Sequence, residues 1–175
     1  MMMAGTAQNA PGARAAAAPL PDHCQGADRA AWADLARPGS NLRRLPDWPS
    51  RLAAYLEQWR ARPFAWGGAD CAVFAEGAVY ALTGWRAPIA PSWHDWDTAR
   101  GVLRLLGGLI PAVDRRLERV PVPYAWRGDV LLVRNVDRRT HLAVRDGDGW
   151  AAPGAAGLVR GPLCQVRLAW GVGRG

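Results

Sequence analysis

Hydrophobic positions recur at helical spacing from residue 47 onwards. In the first such segment Leu52, Leu56 and Trp59 follow one another at intervals of four and three residues, which places them on one face of a helix. Asp47 precedes the segment as an N-cap, and Pro63 follows it as a residue that cannot continue a helix. The pattern therefore predicts an amphipathic helix between them.

The next apolar segment predicts a helix that is buried on most of its surface. Asp70 stands before it as an N-cap and Gly84 after it, where helices favour a residue that accepts a left-handed conformation. Between them the apolar positions repeat at helical spacing: Ala72, Phe74, Ala75, Ala78, Val79 and Leu82. We expect this helix at the centre of the fold.

Two shorter helices are predicted before the pattern changes. One begins at Asp95 or Asp97 and closes at Gly107 and Gly108. The other covers Pro111–Leu117. Both lie N-terminal to the segments that have strand character.

Strand-like segments occupy the C-terminal part of the chain. Gly128–Val133 and His141–Arg145 are short apolar runs, and the second leads into a turn at Asp146–Gly149. A further strand begins at Gly149, and the last strand, Gln165–Val172, alternates apolar and polar positions. Helices followed by an antiparallel sheet predict an α+β fold.

Residues 1–45 lack this periodicity. They are rich in Ala, Gly and Pro and contain too few large apolar side chains to offset the entropy of ordering. The chain of 175 residues has the length of one domain plus a tail. We therefore predict a disordered tail over residues 1–45 and one folded domain over residues 46–175.

The net charge of +7 does not predict a nucleic-acid partner. All 22 basic residues are Arg, and they are scattered along the chain, whereas nucleic-acid binders concentrate basic side chains on one face or arm. The chain has neither a stretch of about 20 apolar residues for a membrane span nor the continuous apolar core of a signal peptide. A membrane partner and a signal peptide are not expected.

Cys71 is the candidate nucleophile among three cysteines. It follows Asp70 in the first turn of the predicted central helix, where free N–H groups and the helix dipole lower a thiol pKa and can hold an oxyanion. Cys24 and Cys164 complete an odd number, so no disulfide framework is expected. The Cys and His spacings suit no tetrahedral metal site, and no cofactor is predicted.

His141 is the candidate base among three histidines. It opens a predicted strand, and a sheet packed against the central helix would bring it to the cysteine. His23 lies in the predicted tail. His94 most simply caps the third helix, and its neighbours Trp93 and Trp96 are candidates for a binding surface. A Cys on an apolar helix is also common in protein cores, so a purely structural role for the pair stays open.

Three motifs in a fixed order resemble the NlpC family of cell-wall peptidases. They are Pro63–Cys71 with the letters P-F-A-W-G-G-A-D-C, then Gly128–Val130, then His141–Val144. The likeness extends over most of the predicted domain. Pro153–Leu158, which leads to a final strand with Trp170, is most similar to the short NlpC-like proteins of phages, prophages and gene transfer agents.

The resemblance implies a papain-like fold and a cysteine peptidase or amidase that hydrolyses peptide bonds of peptidoglycan stem peptides. Cys71 would attack the carbonyl carbon, and His141 would accept the thiol proton and return it to the leaving amine. The resemblance further implies an oxyanion site and cleft formed by Asp70, Trp66, Gly67 and Phe64. The partners would be peptidoglycan peptides or phage tail proteins, in the bacterial cytoplasm or in a phage-like particle.

Two departures from the family pattern leave alternatives open. The strand after His141 carries Trp150, Ala151 and Ala152 where these enzymes have a third polar residue that orients the His ring, and Phe64 stands where many have Tyr. Loss of an orienting residue costs about 10⁴ in rate in the serine-protease template. One alternative is therefore a catalytically weak or inactive structural or assembly protein of a phage tail-like particle. Hydrolysis or acyl transfer on a small molecule is another.

Overall fold

The fold is described by a computed structural model that covers residues 42–86, 88–89, 93–135 and 137–174. The helices are α1 (Trp48–Gln58), α2 (Cys71–Thr83), α3 (Trp96–Leu105) and α4 (Leu109–Asp114). The strands are β1 (Glu118–Val120), β2 (Val130–Arg134), β3 (Thr140–Asp146), β4 (Gly149–Gly154), β5 (Gly157–Pro162) and β6 (Val166–Gly171). Within the described residues no helix is long and apolar enough to cross a membrane.

The six strands form one antiparallel sheet in the order β1-β6-β2-β3-β4-β5. Helices come first and the sheet follows, so the predicted α+β class is confirmed. The sequence pattern predicted β2, β3, β4 and β6. It missed β1, which has only three residues, and β5, which begins at a Gly and ends at a Pro. Both gain their strand conformation by pairing with a stronger neighbour.

Helix ends agree with the predicted capping at two sites and differ at a third. Asp70 caps α2, and Gly84 closes it with a left-handed φ of 72°. Of the two residues proposed to open α3, it is Asp95 that caps the helix, in a reciprocal capping box with Thr98. Asp47 occupies the N-cap position of α1 but makes no capping bond with its side chain.

Helix α1 ends at Gln58, and α4 covers Leu109–Asp114. The end of α1 lies before Pro63, the residue predicted to stop it. Helix α4 starts two residues before the predicted start, Pro111, and ends three residues before the predicted end, Leu117. Helix ends depend on local hydrogen bonds that apolar spacing does not specify.

Side chains alternate between the two faces of the sheet and form two separate cores. The core on the helix side contains strand residues Leu132, Leu142, Val144 and Ala151 together with Leu52, Phe74 and Leu82 from α1 and α2. The core on the opposite face contains Leu131, Val133, Ala143, Trp150 and Ala152. Because successive strand residues face opposite sides, β3 contributes to both cores, and its first residues lie beside the start of α2.

Asp129 joins the two ends of the packed chain. Its fully buried carboxylate accepts hydrogen bonds from Arg44 Nη2 at 2.9 Å, from the Trp126 N–H at 2.6 Å and from the Val172 N–H at 3.1 Å, and it also pairs with Arg174. Four hydrogen bonds satisfy a carboxylate that would be costly to bury alone.

The predicted domain boundary at residues 45/46 is therefore too late. Leu42 packs against the helix-side core, Arg44 binds Asp129, and the Leu45 N–H donates to the Leu82 carbonyl at 2.8 Å. These contacts connect positions far apart in sequence, which composition cannot indicate. The remainder of the predicted tail, residues 1–41, lies outside the described residues.

We predict that Asp129→Asn lowers the free energy of unfolding by about 3–5 kcal/mol, because an amide leaves two buried or half-buried guanidinium groups without their counter-charge. Urea unfolding followed by circular dichroism measures the change. The matched control is Asp47→Asn, which removes an exposed ion pair with Arg51 and should cost less than about 1 kcal/mol. Equal losses in the two variants would contradict the assignment.

Candidate functional site

A buried carboxylate fixes the start of α2. Asp70 is fully buried and accepts four hydrogen bonds: from the N–H groups of Gly67 at 2.8 Å, Ala72 at 2.9 Å and Val73 at 3.0 Å, and from Trp93 Nε1 at 2.6 Å. One side chain thus ties the loop before α2, the first turn of α2 and the segment before α3. The predicted cap is confirmed, and it holds the residue that follows it, Cys71.

The loop before α2 makes a turn that only glycine allows at one position. Gly67 has a φ of 71°, and a Cβ there would overlap the carbonyl oxygen of Trp93. The sequence indicated Gly67 as a cleft residue, through its resemblance to the NlpC family. It did not predict that Trp93, one of the two candidates for a binding surface, is buried as the partner of Asp70 and Gly67.

Cys71 is the first residue of α2, and its sulfur is surrounded by backbone N–H groups. The amides of Leu142, Cys71 itself and Ala72 all favour the thiolate, yet burial outweighs them and, with a smaller contribution from the Asp70 charge, raises the pKa of the thiol to about 11. The expectation that the helix end would lower the thiol pKa is therefore wrong. The helix acts as expected, but desolvation of the sulfur is the larger effect.

The Leu142 amide is free to meet this sulfur because of the hydrogen-bond alternation along β3. The Arg145 N–H donates to the Asp129 carbonyl at 2.9 Å, so Arg145 points its amide towards β2. Amides of alternate residues in an antiparallel strand point to opposite neighbours. Leu142 lies three residues earlier, and its amide therefore points away from β2, towards β4.

On that side the ladder between β3 and β4 ends early. The last pair before the site is Val144 with Ala151, and continuing the register would set Pro153 opposite Leu142. Proline has no N–H to complete a ladder pair. The strands separate at this point, and the sulfur of Cys71 takes the place next to the Leu142 amide.

His141 lies one residue from this contact, on the sheet face of Ala143. Its half-buried ring packs edge-to-face against Trp150, with ring centroids 5.6 Å apart and ring planes at 76°. Burial lowers the pKa of His141, so the imidazole is neutral at pH 7. Among the described residues neither ring nitrogen makes a hydrogen bond, to Cys71 or to any other side chain.

Cys71 and His141 are thus brought to the same peptide unit. The Leu142 amide that contacts the sulfur belongs to the peptide bond between His141 and Leu142. In the resting structure the thiol packs beside the helix-side core, whereas the imidazole packs on Trp150 of the opposite core, and no hydrogen bond joins them. The sequence could not show the contact, because it depends on where β4 stops pairing with β3.

Exposed aromatic side chains form a rim beside the start of α2. Phe64 and Trp66 are each 36% exposed and touch at 5.0 Å between ring centroids, and Trp66 touches Trp96 at 5.7 Å. The Phe64 N–H donates to the Gly154 carbonyl at 2.9 Å, which holds this rim against the end of β4. We call Phe64, Trp66 and Trp96 the aromatic rim. Trp96, a candidate for a binding surface from its sequence position, belongs to it.

The remaining candidates lie away from the thiol or outside the description. His94 is exposed, with Nε2 3.4 Å from a carboxylate oxygen of Asp95. Cys164 is exposed after β5, and Cys24 and His23 lie outside the described residues. Over the described part of the chain no group of three or more His, Cys, Asp or Glu side chains is arranged to hold a metal ion.

Residues 43–172 match the sequence pattern of the family described as Domain of unknown function (DUF6950). The chain belongs to this family. No curated protein matches the sequence. The DUF6950 match starts at Arg43 and ends at Val172, which agrees with the packed residues on either side of Asp129. The family description names no activity, so the relation to NlpC peptidases stays a prediction.

We predict a steep pH dependence for alkylation of Cys71 in a chain that carries Cys24→Ser and Cys164→Ser. Because burial raises the thiol pKa, the reactive thiolate should increase about tenfold per pH unit from about pH 7 to pH 10. Mass spectrometry of the iodoacetamide adduct measures the rate. If the rate stops rising with pH before about pH 9, the thiol pKa is lower than we infer and the sulfur is not desolvated.

Proposed function

We propose that the DUF6950 domain is a papain-like cysteine peptidase or amidase of the NlpC type that hydrolyses peptide bonds of peptidoglycan stem peptides. The supporting observation is that the sulfur of Cys71, the first residue of a central helix, contacts the backbone amide of Leu142, the residue directly after His141. A nucleophile, a base one peptide away and unpaired backbone donors are the parts that acyl transfer requires.

The protonation states suit general-base catalysis. The thiol is protonated at neutral pH and the imidazole is neutral, so Cys71 transfers its proton to His141 as the sulfur bonds to the substrate carbonyl carbon. The imidazolium then protonates the leaving amine as the C–N bond breaks, which leaves a thioester. Water, deprotonated by His141, attacks this thioester, and release of the acid restores the thiol.

Two backbone amides are suited to the oxyanion. The N–H groups of Cys71 and Leu142 both point at the sulfur region, whereas that of Ala72 already donates to Asp70. Preorganised donors of this kind typically account for about 10²–10³ in rate each. Phe64 supplies a ring without a hydroxyl at the position where the family often has Tyr.

The missing hydrogen bond between the thiol and the imidazole is compatible with this mechanism. Catalytic hydrogen bonds are often long in the absence of substrate and shorten in the complex.

The aromatic rim supports a substrate with apolar surface beside the scissile bond. A contiguous patch of exposed aromatic side chains is typical of a surface that a ligand or partner covers. The stem peptide of peptidoglycan and its attached sugar would lie across Trp66 and Trp96. The similarity of Pro153–Leu158 to short phage and prophage proteins favours a role in a tail that crosses the cell wall, with tail proteins as further partners.

The second candidate is a weakly active or inactive structural protein of a phage tail-like particle. The observation that favours it is that no polar side chain orients His141 within the described residues. The raised pKa of the thiol points the same way, because it keeps Cys71 unreactive at rest. Activity measurements separate the two candidates.

We predict that the purified protein releases new muropeptides from peptidoglycan and that Cys71→Ala abolishes the release. His141→Ala should slow it by about 10²–10⁴, the usual contribution of a general base. Liquid chromatography with mass spectrometry identifies the cleaved bond. The matched control is Cys164→Ala, which removes an exposed thiol and should keep full activity.

Identical muropeptides from the wild-type protein and Cys71→Ala would reject the hydrolase and favour the structural candidate. Loss of activity in Cys164→Ala would show that the nucleophile has been assigned to the wrong cysteine.

A further inference from the structure

The indole ring of Trp150 is held in one place by its surroundings. Trp150 is buried, and its Nε1 donates to the Pro162 carbonyl at 3.0 Å. Gly161 pairs with Trp150 across β4 and β5, and a Cβ on Gly161 would overlap the indole. The ring therefore occupies the space that a side chain at position 161 would fill, with its polar atom fixed at the end of β5.

The imidazole of His141 packs on this ring. The centroids are 5.6 Å apart at 76°, an edge-to-face geometry that aromatic pairs favour. Trp150 lies on the strand where the resembling enzymes carry a polar residue that orients the His ring. Ala151 faces the helix-side core and Ala152 the opposite one, and neither offers a polar group.

Within the part of the chain that the structure describes, burial lowers the pKa of His141 and no charged group adds to the shift. The neighbouring strand β4 has no titratable residue, and β2 has only Arg134, which is exposed. At the far end of β3 the Asp146 carboxylate pairs with Arg127 at 3.0 Å and with Arg160.

We infer that Trp150 is the positioning residue for His141, in place of a polar third residue, through ring packing and exclusion of water. The inference rests on the proposed function, because it gives His141 the role of the base. An indole orients the imidazole by shape, and it keeps the ring neutral without accepting a hydrogen bond from it. Such an arrangement needs no carboxylate or amide on β4.

The test measures the titration of His141 by NMR in the wild-type protein, Trp150→Phe and Trp150→Leu. Leucine removes the ring face, so water reaches the imidazole and the His141 pKa should rise towards its ordinary value. Phenylalanine keeps an aromatic face and should stay closer to wild type. This measurement requires no catalytic activity, so it stands even if peptidoglycan is not cleaved.

Hydrolysis provides the second readout. The acid limb of the rate–pH profile reports the pKa of the base, so it should move to higher pH in Trp150→Leu, with a loss of about two- to tenfold in rate at the optimum. A merely structural role would lower the amount of folded enzyme and leave the limb in place. An unchanged His141 pKa in folded Trp150→Leu would overturn the inference.

Gly161→Ala is the second variant, for the case in which Trp150→Leu does not fold. It keeps the indole but forces it to move, so the His141 pKa should change. Val159→Ala, an exposed position on the same strand, is the matched control and should leave the titration unchanged. An unchanged His141 pKa in folded Gly161→Ala, or an equal change in Val159→Ala, would also overturn the inference.

Discussion

The candidate site depends on the buried carboxylate of Asp70. It accepts hydrogen bonds from Gly67, from two amides of the first turn of α2 and from the indole of Trp93, so one side chain joins three segments. The same negative charge raises the pKa of the neighbouring thiol. The group that places Cys71 therefore also makes it a weaker acid, and the reactivity of the sulfur has to come from a base rather than from its own ionisation.

The parts of the fold that the sequence predicts are those with local causes. A cap such as Asp70 and a stop such as Gly84 act within a few residues, and apolar spacing predicted α2 between them. The Asp129 contacts could not be predicted in this way, because Arg44 lies 85 residues before it and Arg174 lies 45 residues after it. The strand β5 was missed because its own residues have weak strand propensity and pairing with β4 provides its conformation.

In the candidate site, too, the features with local causes could be predicted and those that depend on packing could not. Cys71 and His141 were identified from local position, one at a helix start and one at a strand start. Their environment was not, because desolvation of the sulfur depends on the packing of α2 against the sheet, and the exposure of the Leu142 amide depends on the end of the β3–β4 ladder. Pro153 is a sequence signal for the end of the β3–β4 ladder, because it cannot pair with Leu142. This can be inferred only once the hairpin at Asp146–Gly149 has fixed which residues of β3 and β4 lie opposite each other.

The Asp129 junction places both ends of the domain at one pole of the molecule. Arg43 forms an isolated β-bridge with Arg174, and the Leu45 amide donates to the carbonyl of Leu82 in the last turn of α2, whereas Cys71 begins that helix 11 residues earlier. At 1.5 Å per residue the helix separates the two poles by about 17 Å. The described domain therefore begins and ends beside the last turn of α2, at the opposite end of that helix from the thiol, so neither of its described ends lies over the cleft.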